Sequence, residues 1–285
     1  MDIVLDYQVI DVDTCEPVPD VYVEIWHCNS TGVYSGIVAS GNGESSDESN
    51  IDNTFLRGIQ LTDTDGVAQF ESIFPGHYTG RATHIHVMVH TNATLYENNT
   101  LGNDIYASHV GQAFFDQDLI SDVEILEPYS TNTQDLTTNA DDSILSEETE
   151  TDGVDPLMQY TLLGESVADG LFAWMAFGIN TSYSNEITPA AFYYASGGVE
   201  NSESGSGMGE GGGMGGGSMP GDNGSGPNGN STSGSGNGTA TSTQTSSSTT
   251  ATTLSTVSTT SSAVRFTIGC SFFVLVGLIF SPLFL

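Results

Sequence analysis

Short apolar runs with a period of two constrain this chain more than any other feature. Four of them, VLDYQVIDV, VYVEIW, VAQF and IHVMVH, alternate apolar with polar side chains over much of their length. Successive side chains on a strand point to opposite faces, so runs of this kind build strands with one buried face. Turn residues separate them, among them Pro17, Pro19, Gly32, Gly66 and Pro75-Gly76. Closely spaced strands with few helical periods predict an all-β fold, a β-sandwich, over residues 1–197. LFAWMAFGI is apolar without clear alternation and is expected to be a buried strand. Trp26 and Trp174 are expected in the core. Two acidic stretches, 40–54 and 131–155, are expected as exposed, solvated loops. The first lies between two motif segments and so could border a site.

The sandwich pattern stops near residue 198. Residues 198–262 are rich in Gly, then in Ser and Thr. Such sequence cannot bury enough apolar surface to offset its chain entropy, so it predicts a disordered, O-glycosylated stalk. The tail, 263–285, ends in FTIGCSFFVLVGLIFSPLFL, with no charge after Arg265. Two readings of it stand. A GPI signal is favoured, because small residues and a polar spacer precede a terminal apolar run. A membrane-anchoring helix is long enough but lacks a basic flank. Seven N-x-S/T sequons, at Asn29, Asn92, Asn98, Asn180, Asn223, Asn230 and Asn237, also point to the secretory route. In that oxidising setting Cys15 and Cys28 are expected to form a disulfide. Residues 1–20 carry Asp2, Asp6, Asp11 and Asp13 and read as strand, not as an apolar leader. The expectation is therefore a secreted or cell-surface protein whose natural chain starts further upstream.

Charge weighs against whole classes of partner. The chain has 36 acidic residues and three basic ones, for a formal net charge of −33. Phosphate binding needs clustered Lys and Arg, so the charge argues strongly against nucleic acid and anionic lipid as partners. Two of the three basic residues, Arg57 and Arg81, lie in or near the segment richest in His and Tyr. A guanidinium there is less readily dismissed as random surface charge.

The chemistry concentrates in FPGHYTGRATHIHVMVH, Phe74 to His90, which holds four of the six histidines. His84 and His86 form H-x-H within a strand, so both point the same way, roughly 6–7 Å apart at the backbone. His90 shares their parity but lies further along. His27 follows Trp26 and is expected on the opposite face, in solvent or hydrogen-bonded. His77 precedes Tyr78 and is expected to point away from the site. His109 is expected in a loop. Tyr78 follows the Pro75-Gly76 turn, and Tyr34 sits in a second turn, TGVYSG. Imidazole suits several transition metals, whereas a phenolate is a hard anionic donor that a ferric ion can ionise. No carboxylate adjoins H-x-H to complete a facial triad. The inventory favours Fe(III) over zinc or ferrous iron.

Residues 9–115 resemble the intradiol ring-cleavage dioxygenases, most closely their extracellular fungal branch. The matching runs are CEPVPDVYVEIWHCNSTGVYSG, FLRGIQLTDTDGVAQFESIFPGHYTGRATHIHV and HVGQAFFDQDL. The resemblance implies a β-sandwich of the intradiol dioxygenase type that binds Fe(III) through Tyr34, Tyr78, His84 and His86. It implies that Tyr78 leaves the iron when substrate arrives, while Tyr34 stays. Arg81 and Gln112 then stabilise negative charge on the substrate. Arg57 is expected to be structural, pairing a carboxylate such as Asp63 or Asp65. The implied reaction joins an aromatic ortho-diol of catechol type with O2 and breaks the bond between its hydroxylated carbons. Two rivals stand beside it: a non-catalytic cell-surface module that binds a metal or an aromatic ligand, and a structural wall or adhesion protein. The family's helical N-terminal region, used in dimerisation by bacterial relatives, has no counterpart in the sequence, and oligomeric state is not readable from it.

Overall fold

A computed structural model describes residues 1–38, 42–102, 106–150 and 154–201. The tail, most of the stalk, Cys270 and the last three sequons lie outside the described residues.

The long strands come in chain order as β1 (Asp2–Asp11), β2 (Tyr22–Trp26), β3 (Arg57–Leu61), β4 (Val67–Ile73) and β5 (His84–His90). Two short strands, β6 (Thr94–Leu95) and β7 (Leu101–Gly102), form a hairpin. After β8 (Tyr106–Ala107) comes β9 (His109–Phe114). Helices α1 (Gln117–Glu124) and α2 (Ser143–Glu150) follow. The chain then re-enters the sandwich through β10 (Gln159–Leu162) and β11 (Leu171–Ile179). It closes with β12 (Asn185–Glu186), β13 (Ala191–Tyr194) and β14 (Gly197–Glu200). The last strand carries regular structure three residues past the expected boundary at 197.

Two four-stranded sheets form the sandwich, one in the order β10-β11-β1-β4 and the other β3-β2-β5-β9. The first sheet contains one parallel pair, β1 with β11, which the long excursion through both helices makes possible. Strict alternation in β1 sends Ile3, Leu5, Tyr7 and Val9 inward. From the facing sheet come Val23, Ile25, Ile85, Val87 and Val89, and these form one continuous core with the first set. LFAWMAFGI is a strand, β11, as expected, but it is only partly buried: Leu171, Ala173 and Ile179 are buried, whereas Trp174 and Ala176 are exposed. Trp174 does not belong to the core. It is 40% exposed, because β11 alternates after all and turns Trp174 to the outer face of its sheet. Trp26 is buried, as expected.

Three further expectations are corrected. No disulfide joins Cys15 and Cys28. Cys15 lies in the turn after β1, whereas Cys28 follows the far end of β2. Five residues of strand carry the chain roughly 16 Å, and a disulfide needs α-carbons about 5.5–6 Å apart. The buried Cys28 thiol donates instead to the Gly76 carbonyl at 3.2 Å. His109 opens β9 rather than a loop, with its ring stacked on Phe177 at 4.8 Å. The stretch 131–155 includes α2 and the buried Asp142, so it is not simply a solvated loop. Among the described residues no helix is long and apolar enough to cross a membrane.

Candidate metal centre

Strand β5 reads HIHVMVH, and the pleat divides it. Ile85, Val87 and Val89 enter the core; His84, His86, Met88 and His90 face outward. That outer face is itself covered, so His84 is 1% exposed and His86 6%.

Two interlocked turns bring the tyrosines over it. The TGVYSG turn positions Tyr34, and the FPGHY turn positions Tyr78. A β-carbon at Gly76 would stand 2.6 Å from the Asn29 carbonyl oxygen, and one at Gly32 would stand 2.3 Å from that of His77. Only glycine lets these backbones meet. The stretch 40–54 is not wholly exposed either. Its Asn42 and Asn50 are buried because both serve the Tyr34 backbone. Asn42 Oδ1 accepts from the Tyr34 amide at 2.6 Å, and Asn50 Nδ2 donates to the Tyr34 carbonyl at 2.6 Å.

The result is a tight cluster. His84 Nε2 lies 3.3 Å from Tyr34 Oη, 3.4 Å from Tyr78 Oη and 3.2 Å from His86 Nε2. His84 Nδ1 lies 2.6 Å from the Ala82 carbonyl, an acceptor only, so Nδ1 carries the proton and Nε2 presents a lone pair. Three groups thus crowd one lone pair that can satisfy a single donor. A shared cation would use every one of them. Metal–nitrogen bonds near 2.1 Å put two donors on one ion about 3.0–3.4 Å apart at octahedral or tetrahedral angles. The observed spacings fit. Among the described residues, no group of three or more His, Cys, Asp or Glu is placed to hold a metal. Any ion here therefore depends on the phenols.

Electrostatics fit the same donors. Burial, with help from Arg81, holds His86 down at about 3 and His84 well below the usual histidine range, so both imidazoles are neutral. Burial raises Tyr34 far above an ordinary phenol and pushes Tyr78 up to about 12, with Arg81 opposing the rise at Tyr78. Both phenols stay protonated unless a concentrated positive charge ionises them, which a ferric ion supplies. Two phenolates and two neutral imidazoles make a hard, anionic donor set suited to Fe(III).

Arg81 borders the cluster. Its Nε donates to Asp142 Oδ2 at 3.0 Å and its Nη2 to Gln112 Oε1 at 2.5 Å. Gln112 is opposite His86 in the β5–β9 ladder. The sequence reading missed Asp142. One oxygen of this carboxylate accepts from the amides of Ile144 and Leu145 and caps α2, while the other accepts from Arg81 and the Ala82 amide. An Asp ahead of a helical run is a start signal, which was the one available hint.

The other histidines are occupied elsewhere. His77 bonds Glu124 and the Gln134 carbonyl, pointing away as expected. His27 is buried, bonded to Ser72 and the Cys28 carbonyl, so it is not in solvent. His90 bonds Glu24 and the Tyr106 carbonyl. Arg57 has a structural partner, but that partner is Glu24 at 2.6 Å rather than Asp63 or Asp65, and its guanidinium also lies 4.8 Å over the Trp26 ring. Cross-strand pairing decides this, because β3 runs beside β2 and not back on its own turn.

Residues 1–124 match the model of the Dioxygenase family. Among solved structures, an intradiol ring-cleavage dioxygenase from Tetranychus urticae is 26% identical, with a TM-score of 0.50 over 64% of this chain and 82% of that one. A second, dioxygenase Tetur07g02040, is 25% identical with the same score and coverage. The fold is that of the intradiol dioxygenases. No curated protein matches the chain significantly.

Proposed function

We propose that the protein is a non-haem Fe(III) dioxygenase of the intradiol type, which cleaves an aromatic ortho-diol between its hydroxylated carbons with O2. The observation that carries this is the convergence of Tyr34, Tyr78 and His86 on the His84 lone pair. The family match over residues 1–124 and the shared fold support it. Tyr34, Tyr78, His84 and His86 would hold the metal. Bound there, ferric iron would supply a Lewis-acidic centre that chelates the diol and activates its ring toward O2.

Tyr78 is the base. Burial holds its pKa at about 12, so its phenolate takes a proton from a diol hydroxyl and keeps it. Tyr34, whose backbone is held by Asn42 and Asn50, remains in the donor set. Arg81 stays charged: burial opposes this, but Tyr78 and the Asp142 carboxylate outweigh it. With Asp142 and Gln112 fixing its orientation, the guanidinium is preorganised to stabilise negative charge developing on the substrate. The equation closes with no further reductant. The diol supplies the electrons, both oxygen atoms enter the product, one ring carbon–carbon bond breaks, and a muconate-type diacid forms.

We further propose a secreted protein of the extracellular fungal branch, attached to the cell surface by a GPI anchor. The stalk composition, sequons and terminal apolar run support this reading.

Iron content, the visible spectrum and oxygen uptake with a diol panel test the enzyme reading. Tyrosinate ligands should colour the full-length protein red-brown. A colourless preparation that binds no iron and consumes no oxygen after ferric loading would sink it. Iron and diol binding without oxygen uptake would favour the non-catalytic binding module.

A further inference from the structure

We propose that this site takes extended, uncharged ortho-diols carrying a second aromatic ring, and selects against diols that carry a carboxylate. The inference rests on the dioxygenase reading above and adds the substrate class to it. A groove of about 780 Å³ opens onto His86 and Trp26 and runs over the outer face of the β3-β2-β5-β9 sheet. A cavity of about 150 Å³ holds one benzene, and pockets of about 300–1,000 Å³ hold drug-sized ligands. One catechol would leave most of this groove to water.

The groove's chemistry narrows the occupant. Met88 continues the floor past His86, and the β6–β7 hairpin contributes Leu95 and Leu101 on one side. Tyr193 and Tyr194 of β13 contribute another wall. Leu95, Tyr193 and Tyr194 remain 41%, 55% and 53% exposed, so their apolar surface is not spent on folding and stays available to a ring.

Charge completes the argument. Among the described lining residues the only formal charges are Glu24 and Arg57, and they neutralise each other at 2.6 Å. Arg81, the nearest other cation described, is committed to Asp142 at 3.0 Å. A substrate carboxylate would find no uncommitted cation among the described residues of the groove and would enter a chain of net charge −33.

The test uses iron-loaded full-length protein and three probes: catechol, 3,4-dihydroxybiphenyl and 3,4-dihydroxybenzoate. The biphenyl diol should show kcat/KM at least ~10-fold above catechol, and the benzoate at least ~10-fold below it, the scale of one well-filled apolar contact or one unpaired charge. Met88→Trp, which fills the groove, should lower the biphenyl-to-catechol ratio about 10-fold. Val110→Lys, on the part-exposed edge strand β9 and opposite Met88, adds a cation with no carboxylate across from it and should raise the benzoate-to-catechol ratio by a similar factor. Circular dichroism and Tm confirm that each variant is folded. Quenching of tryptophan emission under anaerobic conditions reads binding without turnover. Catechol turnover with no gain for the biphenyl diol, or with the benzoate preferred, overturns this inference alone. No turnover of any probe, with the biphenyl diol still bound most tightly, overturns the dioxygenase reading and leaves the groove assignment standing.

Discussion

The two faces of β5 make opposite use of burial. Inward, Ile85, Val87 and Val89 are 0–3% exposed and gain their stability from leaving water. Outward, His84 and His86 are 1% and 6% exposed, yet burial works against them, lowering their basicity and stripping their solvent. The inner face is buried because that is favourable. The outer face is buried because two interlocked turns, α2 and their hydrogen bonds hold a cover over it. A sandwich usually leaves such a face to solvent. Here it carries the proposed metal donors, and its loss should cost function more than stability.

The largest effect expected follows directly. His84→Ala removes the lone pair on which the cluster converges. Bound iron should be lost and diol cleavage should fall by about 10³-fold or more, roughly 4 kcal/mol of transition-state stabilisation, while the thermal midpoint moves little. Metal analysis and oxygen uptake read the first part, and a collapse of Tm would break the division between the faces.

Ile85→Ala, one residue away, should do the reverse. Removing a fully buried Ile costs about 2–5 kcal/mol, visible as a lower urea midpoint, while iron per folded molecule stays constant. Loss of iron before loss of fold would show that the faces are coupled.

Asp142→Asn sharpens the comparison at the cover itself. Asn keeps the shape and an acceptor for the α2 amides, but the charge opposite Arg81 disappears. With the guanidinium less firmly held, kcat should drop about 10-fold, with a smaller change in KM. A KM change alone would place the interaction in ground-state binding instead.

The smallest effect concerns Glu148 on α2. Burial, partly offset by Arg81, raises its pKa to about 7. The folded state therefore holds a proton that the unfolded state has released between about pH 4.5 and pH 7. Its contribution is intact below the lower value and declines as pH rises through the upper one. Glu148→Gln should flatten that decline, raising stability at pH 8 by about 1–2 kcal/mol and leaving it unchanged near pH 4. Thermal melts at the two pH values measure it; equal gains at both would refute the assignment.

Much of this was legible in the sequence, for local reasons. Alternation in β1, β2 and β5 fixed which side chains share a face, so the H-x-H geometry followed from the pleat alone. The resemblance supplied Tyr34, which lies 44 residues before Tyr78 and which no spacing rule connects to it. Composition misled where partners were concerned. Asp142 stood in an acidic stretch that read as solvated, and Asn42 and Asn50 stood in another. Each is buried because of one hydrogen-bonding duty that its neighbours in sequence do not share. Trp174 was placed in the core on residue type, and the parity of β11 sent it outward.

By itself, then, the sequence determined the main strands and the two imidazoles on one face, and its charge argues against polyanionic partners. Those depend on side-chain periodicity and net charge, which are properties of the chain. Only the tertiary structure decided which carboxylate holds Arg81, that Glu24 claims Arg57, that Cys15 and Cys28 stand apart, and that a groove extends from His86. Those depend on contacts between residues distant in sequence, where strand order and turn packing select one partner from many similar ones.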